Sequence, residues 1–503
     1  MVVGAGLAGL TAGALLARVG QRVVVVEAAE SAGGCMRART GGGFRFDGGP
    51  NLSGPGGPGE IFDRVLTEVG VRDRCRLLKV DPLFRVVLPG LEFTGPGDLD
   101  GHFEALAATF PSERAGLQSL LALCRALQAQ AHDLPPSLPT AQLDQLVDGY
   151  ATVFRYLNAT AGEVVAEHIH DARARAVLLA PGNVLQLPPS QLSFLAYAQS
   201  LVCTLSGPFM CAGTFQSLAD ALAAGLDLQG GRLLVGTAAE RIVFDHGRAA
   251  GVQLADGRAL QAGAVIAAAG GAPTYVRLLG EDMPDSMRRR LQRLRPSHST
   301  YLLDLATTLD LRERLTAYES FVFSVPDLDA GFQAALGGRP DAVRYAVPTL
   351  VDPTLAAPGL HLLTARVPAV YAPPTASRAQ AATYQEAVLG LLERDLPGLR
   401  RSLQYVADVT PADLEANPGV WRGAVVGWEF SSRQAARGTL SQQPPIDGLY
   451  LAGHWTSGGS GVLRAVASGV RAAQLLMLSR GGGQIPGPLR LPQLPMMGLP
   501  ASG

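Results

Sequence analysis

The sequence predicts an α/β protein in which a discontinuous, Rossmann-like nucleotide-binding domain is combined with a second, α+β substrate-binding domain. Three observations support this prediction: a glycine-rich turn at residues 4–9, a second strand, glycine loop and helix pattern at residues 449–476, and alternating strand-like and helical patterns between them. With 503 residues, the chain is too long for one compact core and suggests two or three domains.

The chain opens with MVVGAGLAGLTAG, which has the G-x-G-x-x-G spacing of a dinucleotide-binding turn. Gly4, Gly6 and Gly9 would provide a tight turn, a close approach of the backbone to a pyrophosphate, and close packing of the following helix. Apolar residues then recur at helical spacing until Gly20, which is a typical helix stop. The motif therefore predicts a strand, a nucleotide-binding turn and a helix.

A second strand is predicted at residues 23–26, where four valines form the apolar run expected of a strand buried on both faces. Glu27 follows, 18 residues after Gly9, and can accept hydrogen bonds from the two hydroxyls of a ribose. A carboxylate here would repel a 2′-phosphate, which disfavours NADP. A glycine-rich turn without a ligand is the alternative, but strand, turn, helix and acidic residue coincide as the motif requires.

The middle of the chain alternates between strand-like and helical patterns. Strand-like runs at 83–93 are followed by mostly helical residues at 99–175, which are interrupted at Pro111 and at the Pro-rich stretch 134–140. A helix within 213–224 then precedes a strand meander that ends in a buried strand at 264–269. Strands and helices are mixed at 298–400. The meander would return the chain to the nucleotide-binding sheet.

Near the C-terminus, LYLAGHWTSGGSGVLRAVASG repeats the order of strand, glycine loop and helix. Two such motifs suit a cofactor with two ends to hold, and FAD is such a cofactor. The helix N-terminus at Gly461 and Val462 would direct free amides and the positive end of the helix dipole at the pyrimidine edge of a flavin ring. A helix that only completes the sheet is the alternative.

These patterns divide the chain into parts of two domains and a tail. The predicted parts are an FAD-binding domain at 1–82, 206–290 and 410–480, a substrate-binding domain at 83–205 and 291–409, and a Gly- and Pro-rich disordered tail at 481–503.

Composition disfavours several classes of protein. A net charge of −1 gives no overall field that would attract nucleic acid. The five cysteines are widely spaced, which is typical of free thiols in a reducing compartment. His168 and His170 form an H-x-H pair without further ligands nearby in sequence, so we expect no metal site.

Membrane contact is left open by the sequence. We expect no transmembrane helix, because the chain has no uninterrupted apolar run of about 18 residues. The arginine-rich stretch 286–295 fits a solvated helix face better than a patch for an anionic membrane surface. We therefore expect a cytoplasmic protein, with peripheral membrane contact as an open alternative.

The chain resembles the FAD-dependent amine oxidase superfamily and, within it, the phytoene desaturase and carotenoid isomerase branch. The resemblance covers nearly the whole chain and rests on the opening fingerprint, GGC followed by GFRFDGGP, GTFQSLADAL with GGRLLVGTAAERI, SHSTYLLDLATTL, VPTLVDPTLAAPGLHLLTARVP, TPADLEANPGVWRGAVVGWE, and the final LYLAGHWTSGGSGVLRAVASG. It implies a bound FAD.

The resemblance also implies roles for individual residues around FAD. By this resemblance, Gly4, Gly6 and Gly9 contact the pyrophosphate, and Glu27 contacts the adenosine ribose. Gly34 and Arg37 belong to the second flavin-side loop, and the backbone of Ala239 faces the adenine. The residues along the ribitol and the flavin ring are Gly453, His454, Gly461 and Val462. Two positions depart from the family. Many relatives have an acidic residue where His454 stands, and an aromatic residue often stands where Val426 precedes Gly427.

The function implied by the resemblance is that of an FAD-dependent oxidoreductase that moves a hydride from an allylic carbon of a lipophilic polyene to the flavin. Carotenoid desaturation is favoured, with isomerisation or ketolation as alternatives within the branch. Such a substrate needs an apolar tunnel with few polar anchors. Candidate lining lies at 99–200 and 192–205, although the same residues could be plain core.

Other functions of the same architecture are less well supported. Amine oxidases of the superfamily typically place a lysine near the flavin in the second half of the chain, whereas Lys79 is the only lysine here. No cysteine follows Cys211 to form a C-terminal thioether, so we expect noncovalent FAD. An amino-acid oxidase stays open. Flavin-free prenyl-binding proteins, the Rab GDP-dissociation inhibitors and escort proteins, share the architecture, but both flavin motifs argue against them.

No catalytic acid or base can be nominated from the sequence. His298, Asp304 and Glu429 lie in segments that resemble the family, but each is as well explained as a structural polar group. The catalytic residues therefore stay unassigned at this point.

Overall fold

The computed structural model describes residues 1–49, 52–133, 149–417, 419–457 and 460–481. The β-strands are β1 (Val2–Val3), β2 (Val24–Val26), β3 (Arg39–Gly41), β4 (Phe44–Phe46), β5 (Leu77–Lys79), β6 (Phe84–Leu88), β7 (Leu91–Gly95), β8 (Phe209–Cys211), β9 (Arg232–Leu234), β10 (Ala239–Asp245), β11 (Arg248–Leu254), β12 (Ala259–Gln261), β13 (Val265–Ala267), β14 (Ser299–Thr307), β15 (Glu319–Phe323), β16 (Ala342–Ala346), β17 (His361–Ala369), β18 (Leu403–Val409) and β19 (Leu449–Leu451).

The α-helices are Leu7–Arg18, Ile61–Glu68, Leu99–Thr109, Arg114–Asp133, Ala151–Arg155, Ala161–His168, Ala172–Leu179, Phe194–Thr204, Gln216–Leu228, Gly271–Leu279, Asp285–Arg293, Leu328–Leu336, Pro374–Asp395, Leu399–Ser402, Pro411–Glu415, Ser432–Arg437 and Val462–Ser479. The predicted Pro-rich interruption at 134–140 lies outside the described residues, and so does the predicted tail apart from Gly481.

A five-stranded parallel sheet joins three separated stretches of the chain. Its strand order is β19-β13-β1-β2-β9, with Val2 opposite Ile266 on one side and Val25 on the other. Every residue of β1, β13 and β19 is buried, as expected of parallel strands covered on both faces. Because the carboxyl ends of parallel strands meet at one edge, the first glycine turn and the C-terminal glycine loop emerge side by side. The predicted α/β, Rossmann-like fold is confirmed.

The first helix, Leu7–Arg18, packs directly on the last described helix, Val462–Ser479. A Cβ atom at Gly469 would lie only 2.3 Å from the Ala8 carbonyl oxygen, so this glycine allows the close approach. Among the described residues, Val462–Ser479 is also the one helix whose length and composition would allow it to cross a membrane, and 61% of it is buried inside the protein. Its packing is that of a core helix.

A seven-stranded sheet forms the centre of the second domain, in the order β18-β14-β17-β16-β15-β6-β7. Neighbouring strands are antiparallel except for β6 and β15, which run parallel. The predicted strand-like runs at 83–93 therefore form one edge of a sheet whose other strands come from 299–409. Tyr301, Leu303 and Leu305 on one face pack in a core shared with the helix Pro374–Asp395.

The arginine-rich stretch forms the helix Asp285–Arg293. Met287 and Leu291 are buried, whereas Arg289 and Arg293 are exposed. Arg290 donates hydrogen bonds to the carbonyl oxygens of Thr439 and Arg437. The helix thus has one buried stripe and a solvated arginine face.

Candidate functional site

A cavity of about 620 Å³ is bordered by the carboxyl edge of the five-stranded sheet, by one face of the seven-stranded sheet and by the helix Phe194–Thr204. Ten of the predicted site residues line it: Gly4, Gly6, Glu27, Gly34, Arg37, Ala239, Gly453, His454, Gly461 and Val462. The eleventh, Gly9, lies beneath the first turn. Residues that are far apart in sequence are therefore brought together around one space.

The three glycines of the first turn differ in what a side chain at each position would meet. Gly4 has a φ of +101°, and a Cβ atom there would lie 2.6 Å from the Ala268 carbonyl oxygen. At Gly9, a Cβ atom would lie 2.0 Å from the Gly4 carbonyl oxygen. At Gly6, by contrast, the nearest protein atom to an added Cβ would be the Gly34 Cα, at 3.9 Å. Gly4 and Gly9 are required by the fold itself, whereas Gly6 leaves room for a ligand.

Gly6 also precedes the first helix and has no side chain that could cap it. The free amides of the first turn and the positive end of the helix dipole therefore face the cavity, which is the arrangement that binds phosphate groups.

The Glu27 carboxylate lies at the cavity and is only 9% exposed. Its Oε2 accepts a hydrogen bond from the Ala5 amide at 2.7 Å, and its Oε1 accepts one from the Ala29 amide at 3.0 Å. Each carboxylate oxygen can accept a second hydrogen bond. Glu27 therefore holds the glycine turn in place and keeps acceptor capacity for ribose hydroxyls.

The second flavin-side loop packs against the first turn. The Gly33 amide donates to the Ala5 carbonyl at 2.9 Å, and a Cβ atom at Gly34 would lie 3.0 Å from the Gly6 Cα. Asn417, which the sequence reasoning missed, donates from Nδ2 to the Gly34 carbonyl at 2.9 Å. These contacts fix the loop that brings Arg37 to the cavity.

Ala239 begins β10 and is 6% exposed. Its carbonyl oxygen accepts a hydrogen bond from Arg277 Nη1 at 2.9 Å, and Arg277 also lines the cavity. This arginine could not be identified from local sequence patterns, because it follows in a helix 38 residues later. The Ala239 carbonyl oxygen is therefore already hydrogen-bonded within the protein.

The C-terminal loop supplies the other end of the cavity. Gly453 and Gly461 have φ values of +96° and +106°, which favour glycine, and no atom of the described residues lies within 4 Å of a Cβ atom built at Gly461. Gly461 precedes the last described helix without a capping side chain. A second uncapped helix N-terminus therefore faces the same cavity.

His454 is half-buried in this loop, and its buried Nε2 has no hydrogen-bond partner among the described residues. Burial lowers the pKa of the imidazole to about 4, so the ring is neutral near pH 7. Trp455 Nε1 donates to the Gly419 carbonyl, and Trp428 Nε1 donates to the Trp455 carbonyl. Tryptophan packing thus holds the loop, while one buried nitrogen of His454 still needs a polar partner.

The remaining wall of the cavity is largely apolar on the helical side. The predicted lining at 192–205 contributes six residues, namely Ala196, Tyr197, Ser200, Leu201, Cys203 and Thr204. Val425, Val426 and Phe430 continue this wall. The departure noted at Val426 therefore affects the cavity surface directly.

The titratable residues considered from sequence lie elsewhere. None of His298, Asp304 and Glu429 is among the cavity-lining residues. Asp304 accepts hydrogen bonds from two nitrogens of Arg39 and from Thr364 Oγ1, which explains it as a structural group. Lys79 is exposed beside Asp81, at 3.2 Å. The cavity therefore contains no lysine.

The cavity fits FAD by three observations: open space above Gly6, uncapped helix N-termini at Gly6 and Gly461, and the buried Nε2 of His454, which no described residue hydrogen-bonds. Together with the parallel sheet and Glu27, they define an FAD-dependent oxidoreductase. The chain belongs to the family of flavin-containing amine oxidoreductases, whose model matches residues 7–477.

Individual relatives agree with this class. The chain is 25% identical to a lycopene-forming phytoene desaturase of Paracoccus sp. (strain N81106 / MBIC 01143) over 95% of this chain and 97% of that protein. It is 28% identical to a phytoene dehydrogenase of Streptomyces griseus over 94% of each chain. Among solved structures, cyclohexylamine oxidase from Brevibacterium oxydans IH-35A has a TM-score of 0.62 at 18% identity, covering 95% of this chain and 98% of that one.

We expect the FAD to be held without a covalent bond. Cys35 and Cys203 line the cavity, but burial raises the pKa of each thiol to about 11, so neither is a reactive thiolate near pH 7. Acid precipitation of the purified protein should release all flavin into the supernatant. Flavin that stays with the polypeptide after denaturation would contradict this prediction.

Proposed function

We propose that this oxidoreductase desaturates a lipophilic polyene, and that a C40 carotenoid is its substrate. The observation that carries the proposal is the cavity itself: beside the FAD-binding residues it has a largely apolar wall on its helical side and no lysine. Relatives named for phytoene desaturation, aligned over more than nine-tenths of the chain, support the same substrate class.

The chemistry divides between cofactor and protein. FAD held by the glycine turn at Gly6, by Glu27 and by the loop at Gly461 would supply a hydride acceptor for an allylic carbon of the substrate, and loss of a proton from the neighbouring carbon would complete the new double bond. The protein residues bind and orient the substrate and exclude water from the cavity. The N-terminus of the helix that begins after Gly461 stabilises negative charge in the cavity, and the apolar wall from Ala196 to Leu201 binds the hydrocarbon.

Isomerisation and ketolation are alternatives that share this site. An amine or amino-acid oxidase is a further alternative, although a cavity without a lysine lacks a feature typical of the amine oxidases. A flavin-free prenyl-binding protein is less consistent with the chain, because two uncapped helix N-termini around one cavity would then have no ligand.

We propose a cytoplasmic location with peripheral contact to a membrane. Carotenoids dissolve in the apolar interior of bilayers, so the protein must extract its substrate from one. Activity of the purified protein should therefore depend on liposomes or detergent micelles that carry the substrate.

Expression in cells that accumulate phytoene, lycopene or a hydroxylated lycopene derivative tests the proposal, with extracted pigments compared by absorption spectrum and mass. Loss of two hydrogens with a red shift is the expected result. Unchanged mass with altered retention would indicate an isomerase, and added oxygen a ketolase. Unchanged pigments, combined with peroxide formation from an amine or amino acid by the purified protein, would overturn the proposal.

A further inference from the structure

The cavity wall on the helical side contains a buried amide side chain. Gln186 directly follows the short 3₁₀ helix Ala180–Leu185 and lines the cavity. It is only 5% exposed, and the residues on either side of it, Leu185 and Leu187, belong to the apolar core of this region. The leucines fit a wall that binds hydrocarbon. An amide between them does not, because burying a polar group is costly unless it is hydrogen-bonded.

The amide oxygen of Gln186 is not used within the described protein. Its Oε1 has no hydrogen-bond partner among the described residues. Tyr197 lines the same cavity, but its hydroxyl donates to the Leu178 carbonyl at 2.6 Å and is therefore not available to Gln186. Because a buried amide oxygen without a partner costs free energy, we expect this oxygen to accept a hydrogen bond from a ligand in the cavity.

The backbone at Gln186 is also unusual. Its φ of 59° and ψ of 37° lie in the left-handed region, which residues other than glycine and asparagine seldom adopt. The Gln186 amide closes the preceding turn by donating to the Asn183 carbonyl at 3.0 Å. Glycine would adopt this conformation without strain. A glutamine kept where glycine would be easier is typical of positions where the side chain has a role in ligand binding.

The charged side chains at the cavity, by contrast, have partners within the protein. On the face of the seven-stranded sheet, Glu319 and Arg344 line the cavity and form an ion pair at 3.1 Å. Arg366 also lines the cavity, and its Nη2 donates to the Gly49 carbonyl at 2.7 Å. These groups give no reason to expect an ionic ligand, whereas Gln186 indicates a neutral ligand that donates a hydrogen bond.

We propose that Gln186 binds a hydroxyl group carried by an otherwise apolar polyene and is a specificity-determining residue. An amide oxygen is an acceptor, so the matching group is a hydroxyl that donates its hydrogen, and an ether oxygen does not fit. This inference rests on the proposed function and narrows its substrate class to polyene alcohols. Because the FAD-binding residues line the same cavity, holding the hydroxyl at Gln186 selects which bond of the polyene reaches the flavin.

Equilibrium binding of lycopene, 1-hydroxylycopene and its 1-methoxy analogue in detergent micelles tests this inference on the purified holoprotein. The preference for the hydroxylated probe over lycopene is compared between the parent and Gln186→Leu, so that differences in partitioning into micelles cancel. Gln186→Leu should lower this preference by about 5- to 150-fold, the range for leaving a buried hydrogen-bonding group unpaired. The methoxy probe has no hydrogen to donate and should bind the parent no more tightly than lycopene.

Further variants separate binding from folding. Gln333→Leu is the matched control, because Gln333 is exposed and does not line the cavity, and it should keep the preference of the parent. Gln186→Asn suits the left-handed backbone but has a side chain shorter by one methylene, so it should fold and lose part of the preference. The Gln186→Leu apoprotein should unfold at a temperature no lower than the parent, because Oε1 has no described partner to lose.

Equal affinities of the parent for lycopene and the hydroxylated probe, or an unchanged preference in Gln186→Leu, would overturn the inference. Loss of FAD from Gln186→Leu, or equal weakening of both probes with a lower unfolding temperature, would assign Gln186 to the cofactor or to the fold and would also overturn it. A methoxy probe bound as tightly as the hydroxylated one would contradict the role as acceptor. If Gln186 gives the expected preference but the parent converts no polyene, the proposed function fails while the assignment of Gln186 stands.

Discussion

Replacing Glu27 by alanine should weaken FAD binding by at least about 100-fold. Two charge-assisted hydrogen bonds to ribose hydroxyls contribute about 1.5–3 kcal/mol each, and each 1.4 kcal/mol is tenfold in Kd. The substitution also removes the acceptors for the amides of Ala5 and Ala29, so the glycine turn loses its support. Glu27→Gln keeps one acceptor oxygen and should lose less.

Titration of the apoproteins with FAD, followed by flavin fluorescence, measures both effects. Glu30→Ala is the matched control, because Glu30 is exposed, follows three residues later and does not line the cavity. It should bind FAD as the parent does. If Glu27→Ala and Glu27→Gln also hold FAD as tightly as the parent, Glu27 is not the ribose ligand.

Replacing Gly6 by alanine should weaken FAD binding while leaving the apoprotein folded. Among the described residues, the atom nearest to the added methyl group is the Gly34 Cα at 3.9 Å, so the fold can accept it. The methyl group would occupy space that a pyrophosphate needs, and overpacking of this kind costs about 1–3 kcal/mol, which corresponds to about 5- to 150-fold in Kd. Thermal unfolding of the apoprotein and FAD titration measure the two properties separately.

Gly9→Ala provides the contrast, because its methyl group would lie 2.0 Å from the Gly4 carbonyl oxygen. That variant should lose stability as well as FAD binding. A Gly6→Ala protein that binds FAD like the parent would show that the cofactor does not approach this turn. A Gly6→Ala apoprotein as unstable as Gly9→Ala would show that Gly6 also has a role in the fold.

The nucleotide-binding half of the site could be predicted because its signals are local in sequence. The turn at Gly4, Gly6 and Gly9 and the loop before Val462 each lie between a strand and a helix, and Glu27 directly follows β2. Parallel pairing of β1, β13 and β19 then brings these segments to one edge. To predict that these segments form one site, the only further rule needed was that the carboxyl ends of parallel strands meet at one edge of a sheet.

The partners of these residues could not be predicted, because their contacts join distant parts of the chain. Asn417 supports Gly34 across 383 residues, and Arg39 binds Asp304 across 265. An arginine within a strand pattern, such as Arg366, reads equally well as a solvated side chain. The presence of Glu319, Arg344 and Arg366 together at the cavity therefore emerged only from the pairing of β15, β16 and β17.

Anaerobic mixing of the purified holoprotein with polyenes in liposomes tests the central claim most directly. Lycopene and 1-hydroxylycopene are compared with amines and amino acids as reductants, and the visible absorbance of oxidised flavin is followed. We expect a polyene to bleach the flavin and to be recovered two hydrogens lighter. Bleaching by an amine or amino acid, with every polyene leaving the flavin oxidised, would contradict the assignment as a polyene desaturase.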